Sequence, residues 1–276
     1  MTKFRTYLEQ KGIVESSIVR MQKMIDRWLE WLPVKVEDSS YNLLMKYISE
    51  LQNQEKSIRH INRVLITIGH YYNYKELPNF AISTRLKGEV TKALPRPIKA
   101  EQLEEIYQVF EGTELEKVIL SLMIYQGLEQ ADFMTIETKD INLEKGVIYI
   151  PQRTERRSRT LALESHQILL LNNFIFSIER TTEKALSPYV DNLNHFRYLL
   201  RKLSKSLKHQ IKEKLEVEII KLSHLRQSRI TIWVKNEGIR QGQYKAGFRR
   251  VLSAEKYLKA DLSNLTNQIK KHHPFK

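Results

Sequence analysis

Leu222-Ser223-His224-Leu225-Arg226-Gln227-Ser228 opens the stretch on which the reading of this chain turns. An apolar helical pattern follows, then Ala246-Gly247-Phe248, and then Ser253-Ala254-Glu255-Lys256-Tyr257, with the tyrosine nine residues after Phe248. Just upstream, the stretch from about Leu193 to Lys212 reads as a long helix. Its Arg197, Arg201, Lys205, Lys208 and Lys212 step by four, four, three and four, which lines them along one face. Phe196, Leu199, Leu200, Leu203, Leu207 and Ile211 form the face predicted to be buried, and no acid occurs between Phe196 and Lys212. Like charges four apart repel by roughly a few tenths of a kcal/mol, a cost that a polyanion along the stripe relieves.

Further toward the N-terminus, helices are predicted from about Ala100 to Glu111 and from Glu114 to Tyr125, the latter burying Val118, Ile119, Leu122 and Met123. Gly127-Leu128-Glu129-Gln130-Ala131-Asp132-Phe133 and Lys139-Asp140-Ile141-Asn142-Leu143 come next. Val147-Ile148-Tyr149-Ile150 and Thr160-Leu161-Ala162-Leu163 are short strand signals. Between them lies a positively charged turn, Arg153-Thr154-Glu155-Arg156-Arg157-Ser158-Arg159, and helices resume near Ser165.

Residues 1–78 read as a bundle of about four amphipathic helices. Ile18, Met21, Ile25, Trp28, Leu29 and Leu32 recur at helical steps until Pro33, and Ser39 or Ser40 is positioned to cap the next helix. The last of the bundle turns Ile61, Val64, Leu65 and Ile68 inward and sets Lys56, Arg59, His60 and Arg63 to one side. Residues 79–99 change character. Arg85, Lys87, Lys92, Arg96 and Lys99 face a single acid, Glu89, and Pro95 and Pro97 stiffen the exit. This stretch is expected to be a basic linker between domains at 1–78 and 100–276.

The whole chain has 276 residues, enough for two domains with real cores. Its 46 Lys and Arg against 32 Asp and Glu leave a net charge of +14, and nucleic acid is the commonest polyanion met by such a protein. There is no cysteine, which excludes disulfides, thiol catalysis and zinc fingers. No apolar run approaches the roughly 20 residues that span a bilayer. The histidines, His272-His273 included, show no metal-ligand spacing. No cofactor and no membrane are expected, and the expected location is the cytoplasm, at the nucleoid if DNA is the partner.

The C-terminal stretch resembles the box of the tyrosine recombinase (phage integrase) family: His-x-Leu-Arg, a helix, Leu-Gly-His, and a nucleophilic Tyr nine residues later. Arg226 and Tyr257 fall on the box arginine and the tyrosine, while Ser223 and Phe248 fall on the two histidines. Gly127-Leu128 and Asp140-Ile141-Asn142-Leu143 resemble the Thr-Gly-Leu-Arg box and its downstream strand, and Leu161-Ala162-Leu163 resembles the Val-Pro-Leu ending the small sheet. The resemblance implies a mainly α (α+β) protein, with an N-terminal helical core-binding domain and a recombinase-like catalytic domain carrying a small antiparallel sheet. It also implies duplex DNA held between them.

In that family the tyrosine attacks a DNA phosphate without a metal, and cationic side chains stabilise the charge that develops. Glu129 stands at the first arginine position, and Arg153 (Arg156 in another register) at the lysine of the β-turn. An anion about 4 Å from a phosphate, at an effective dielectric near 20, costs on the order of 4 kcal/mol. Arg226 is open to pairing with Glu129 as well as with phosphate, and His224, one position late for the family role, reads as an ordinary turn histidine. The expected DNA contacts are Lys56, Arg59, Arg63, Arg85, Lys87, Arg156, Arg157, Arg159, Arg197, Arg201, Lys205, Lys208 and Lys212. Two functions follow. One is a DNA-binding accessory or regulatory factor in recombination or mobile-element integration, with a degenerate catalytic set. The other is an active site-specific recombinase using Tyr257, Arg226 and Arg153. Asp261–Ile269 has helical apolar spacing, and the resemblance implies DNA-dependent assembly through this tail, or a partner recombinase.

Overall fold

Apolar residues at three- and four-residue steps build the first unit, Met1–Lys92, around Leu8, Ile18, Trp28, Leu44, Ile61 and Ile68. The computed structural model describes residues 2–87, 94–179, 181–215, 217–219 and 221–258. The helices of this unit are α1 (Thr2–Gln10), α2 (Glu15–Trp31), α3 (Tyr41–Asn53) and α4 (Ile58–Tyr74). Ser40 caps α3 by accepting from Leu43 N, whereas the Ser39 hydroxyl donates to the Val36 carbonyl and meets the Tyr72 hydroxyl. Ser57 caps α4 through His60 N. Trp28 is fully buried, its ring centroid 5.7 Å from that of Trp31 and 4.8 Å from that of Tyr47.

Residues 79–87, expected to begin a linker, are instead part of this unit. Ala81 is buried in its core, Asn79 Nδ2 donates to the Gly69 carbonyl at 2.8 Å, and Asn62 exchanges two hydrogen bonds with the Leu86 backbone. Composition marked the stretch as basic and exposed; the asparagines that tie it down carry no charge signal. Lys92 and Glu89 lie outside the described residues.

The second unit, Ala93–Lys276, is organised around α6 (Glu114–Tyr125), which is buried on nearly every side and begins with a capping box between Thr113 and Glu116. Before it lies α5 (Ala100–Val109), and after it come α7 (Gln130–Phe133), β1 (Ile141–Asn142), β2 (Val147–Ile150), β3 (Arg159–Ala162), α8 (Ser165–Ser177), α9 (Leu193–Lys214) and α10 (Leu222–Lys245). Gly238, at φ +84°, breaks α10, and residues 252–258 are helical. The sheet is antiparallel in the order β1-β2-β3, with Ile148 opposite Leu161 and Ile150 opposite Arg159. Ile148, Ile150 and Leu161 turn inward with the period of two that a pleated strand imposes.

His224 is a buried residue of α10, not a turn residue. Its Nε2 lies 2.8 Å from the Arg96 carbonyl, and Ser228 Oγ accepts from Ile98 N one turn later. The pair ties the segment before α5 onto α10.

Trp28 supplies the largest side chain of the first core. Trp28→Ala is expected to destabilise that unit by about 3–5 kcal/mol, read as a lowered denaturant midpoint. A midpoint within a few tenths of molar of wild type would show that the core does not depend on it.

Candidate functional site

Two glycines place the residues around Tyr257. Gly127, at φ +57°, ends α6, and the Leu128 amide returns to the Leu122 carbonyl, so that Glu129 leaves at the head of α7. A Cβ on Gly127 would stand 3.2 Å from the Trp233 ring. Gly247, at φ +68°, accepts from Arg157 N at 2.9 Å, and a Cβ there would meet Arg159 Nη1 at 2.6 Å. That close approach sets Phe248 beside the β2–β3 turn, where Arg153 and Arg156 exchange backbone hydrogen bonds of 3.0 and 3.1 Å.

Glu129 sits at the centre. Its Oε1 accepts from Arg153 Nη2 at 2.5 Å and from Arg156 Nε at 3.1 Å, while Oε2 accepts from Arg156 Nη2 at 3.2 Å. Arg226 Nε is farther away, 3.9 Å from Oε2, and its Nη2 donates to the Ala246 carbonyl. Beneath this layer Asp132, fully buried, accepts from Arg153 Nη2 and Arg159 Nη2 at 2.9 Å each and from the Glu129 amide. Burial alone pushes the Glu129 carboxyl up, but Arg226, Arg153 and Arg156 together hold it down at about 2.

Tyr257 is 4% exposed, and its ring stacks on Phe248 at 5.8 Å and 22°. Burial raises the phenol's ionisation above its ordinary range, against the opposing pull of Arg226 and Arg156. The Phe248 ring also faces Arg156 at 5.1 Å, Arg226 at 5.8 Å and Lys256 at 5.9 Å. Among the described residues, Arg226 Nε and Arg153 Nε are buried donors with no hydrogen-bond partner.

Of the residues singled out from sequence, Glu129, Arg153, Arg156, Arg226, Phe248 and Tyr257 come together here, with Ser223 half-buried at the start of α10. The structure corrects three readings. Arg159 is no surface cation, since β3 starts one residue early and turns Arg159 to the same inward face as Leu161. The Arg226–Glu129 pairing left open by sequence is long, and the close partners of Glu129 are Arg153 and Arg156. Nor is Glu129 a bare anion, because those guanidiniums neutralise it. Asp132 and Lys256 were not singled out, although the Glu-x-x-Asp step and the lysine beside the tyrosine were both visible. Lys56, Arg59, Arg63, Arg85 and Lys87 are exposed on the first unit; Arg157 and the five α9 cations are exposed on the second. Among the described residues, no group of three or more His, Asp or Glu is placed to hold a metal ion.

Because the folded carboxyl of Glu129 ionises near 2 instead of its ordinary 4.5, its contribution to stability is complete above pH 4.5 and disappears as pH falls toward 2. Glu129→Gln is therefore expected to be less stable than wild type at neutral pH by about 2–3 kcal/mol, allowing for partial exposure. The two proteins should converge across that window in urea titrations at stepped pH. A gap that stays constant with pH would remove Glu129 as the source.

No protein-family model matches the chain. It is 24% identical over 195 residues to tyrosine recombinase XerA of Pyrococcus horikoshii, covering 69% of this chain and 63% of that protein, so the match spans less than two thirds of the relative's length. Its fold matches lambda integrase in a tetramer bound to a Holliday junction, with a TM-score of 0.69 at 15% identity, over 93% of this chain and 75% of that one. It also matches the Tn1549 transposon integrase in complex with circular intermediate DNA, with a TM-score of 0.67 at 13% identity, over 96% and 98% of the two chains. Aligned sequence, a mainly helical fold with a three-stranded antiparallel sheet, and the placement of Arg226 and Tyr257 together make this chain similar to the tyrosine recombinases (integrases), whose fold it shares.

Proposed function

We propose that the chain binds duplex DNA and acts as an accessory or regulatory factor in DNA recombination or mobile-element integration, with its own strand cleavage impaired. One observation carries the impairment: the Glu129 carboxylate occupies donors of Arg153 and Arg156 that a phosphate would need. A scissile phosphate would have to displace a carboxylate already held by charge-assisted bonds. Phe248 offers no hydrogen bond in place of a histidine, and burial raises the ionisation of the Tyr257 phenol above its ordinary range. Losing about 4 kcal/mol of phosphate stabilisation slows a reaction about a thousandfold.

Support for DNA binding lies in charge and its placement. Arg197, Arg201, Lys205, Lys208 and Lys212 are all exposed on α9, and among the described residues none forms an ion pair with an acid. Lys56, Arg59, Arg63, Arg85 and Lys87 on the first unit and Arg157 on the β2–β3 turn are further contacts in this reading. The DNA-bound relatives supply the analogy. No helix among the described residues is long and apolar enough to cross a membrane, and a nucleoid location belongs to the proposal. Assembly through Asp261–Ile269 concerns residues outside those described; a partner recombinase would supply the missing groups in a mixed assembly.

A second reading, a working recombinase with Tyr257 as nucleophile, has one observation in its favour. Arg153, Arg156, Arg159, Arg226 and Lys256 outnumber Glu129 and Asp132, so the pocket still has net positive charge.

The DNA reading is tested with a fluorescent duplex. Arg201→Ala with Lys205→Ala is expected to weaken binding and to lower the slope of log K against log salt by about 2, since each lost phosphate contact removes about 0.9. An unchanged slope would take α9 out of the interface.

A further inference from the structure

Lys256 stands immediately before Tyr257 on the helical stretch 252–258 and is exposed. Its Nζ lies 5.2 Å from the Tyr257 ring centroid and 5.9 Å from that of Phe248. The same Phe248 ring faces the guanidiniums of Arg156 at 5.1 Å and Arg226 at 5.8 Å, so three cations converge on one side chain. Two of the three are compensated: Glu129 binds Arg156 directly and lies 3.9 Å from Arg226. Lys256 forms no ion pair with any described acid. Desolvation, and then Arg156 and Arg226, push its ionisation below the ordinary range of a lysine.

An ammonium gathered on the same ring as two guanidiniums is unfavourable in the free protein, because like charges repel. Attraction to the two ring faces offsets little of that where water still reaches the amine. An anion arriving among Arg226, Arg156 and Lys256 reverses the balance, and two buried guanidinium donors, Arg226 Nε and Arg153 Nε, have no acceptor among the described residues. We propose that Lys256 is a phosphate-contacting residue of this pocket, supplying at the Tyr257 end the cation that Glu129 removes from the other. This rests on the reading above, that the pocket receives a DNA phosphodiester.

The experiment uses the full chain and a fluorescent duplex titrated from low to moderate salt, comparing wild type, Lys256→Gln and Lys256→Arg, with thermal melting alongside. Lys256→Gln is expected to bind several-fold more weakly and to lower the log K–log salt slope by about 0.9, while Lys256→Arg recovers the slope. A residue that only packs would shift the melting temperature in both variants and leave the slope untouched. Lys256→Met retains the apolar stem without the charge and serves if the glutamine weakens the helix; it should lose the same slope. Wild-type slopes in both the Gln and Met variants, with wild-type binding intact, overturn the Lys256 assignment alone. Absence of salt-dependent binding by wild type overturns the DNA reading, and this assignment with it.

Discussion

A carboxylate held between two guanidiniums sets the character of this protein. Glu129 accepts three hydrogen bonds from Arg153 and Arg156, and Asp132 accepts from Arg153 and Arg159 directly below. Removing one partner from such a network leaves a charge uncompensated away from water, a far larger penalty than the net value of the intact pairs. The β2–β3 turn, the head of α7 and the start of α10 are therefore held in one arrangement by electrostatics as much as by packing. The same bonds that fix this geometry also satisfy the donors that phosphate chemistry would use.

In the proposed reading, the cost of Glu129 to catalysis is of a different kind from simple repulsion. An isolated anion would repel a phosphate; this one is neutralised, and the pocket keeps net positive charge from Arg226, Arg159 and Lys256 as well as its two partners. Affinity for DNA survives such a change more readily than rate. Non-specific affinity depends on total charge over many phosphates, whereas rate depends on donors aimed at one phosphate as its charge develops. A recombinase fold that binds and does not cut is a physically coherent outcome.

Much of the fold was legible because amphipathic periodicity is a local signal: the four helices of the first unit, α6 and α9 all follow it. The spacing of Arg226 and Tyr257 was equally plain. What could not be read were partners fixed by tertiary structure. Arg159 looked like one more cation of a basic turn until a one-residue shift of β3 turned it inward onto Asp132. His224 and Ser228 had no visible role until the segment before α5 crossed α10. Glu129 read as a bare charge because its neutralising arginines lie 24 and 27 residues further along the chain. Lys256 went unremarked because its meaning comes from the rings and guanidiniums around it.

The most direct measurement is trapping of a covalent protein–DNA adduct on a nicked duplex drawn from the native genomic neighbourhood, resolved on a denaturing gel, with Tyr257→Phe as control. The account predicts that wild type alone binds this duplex in a salt-sensitive manner and yields no adduct. A shifted band that wild type gives and Tyr257→Phe lacks would show that the Glu129 bonds yield to phosphate and that this chain cleaves DNA.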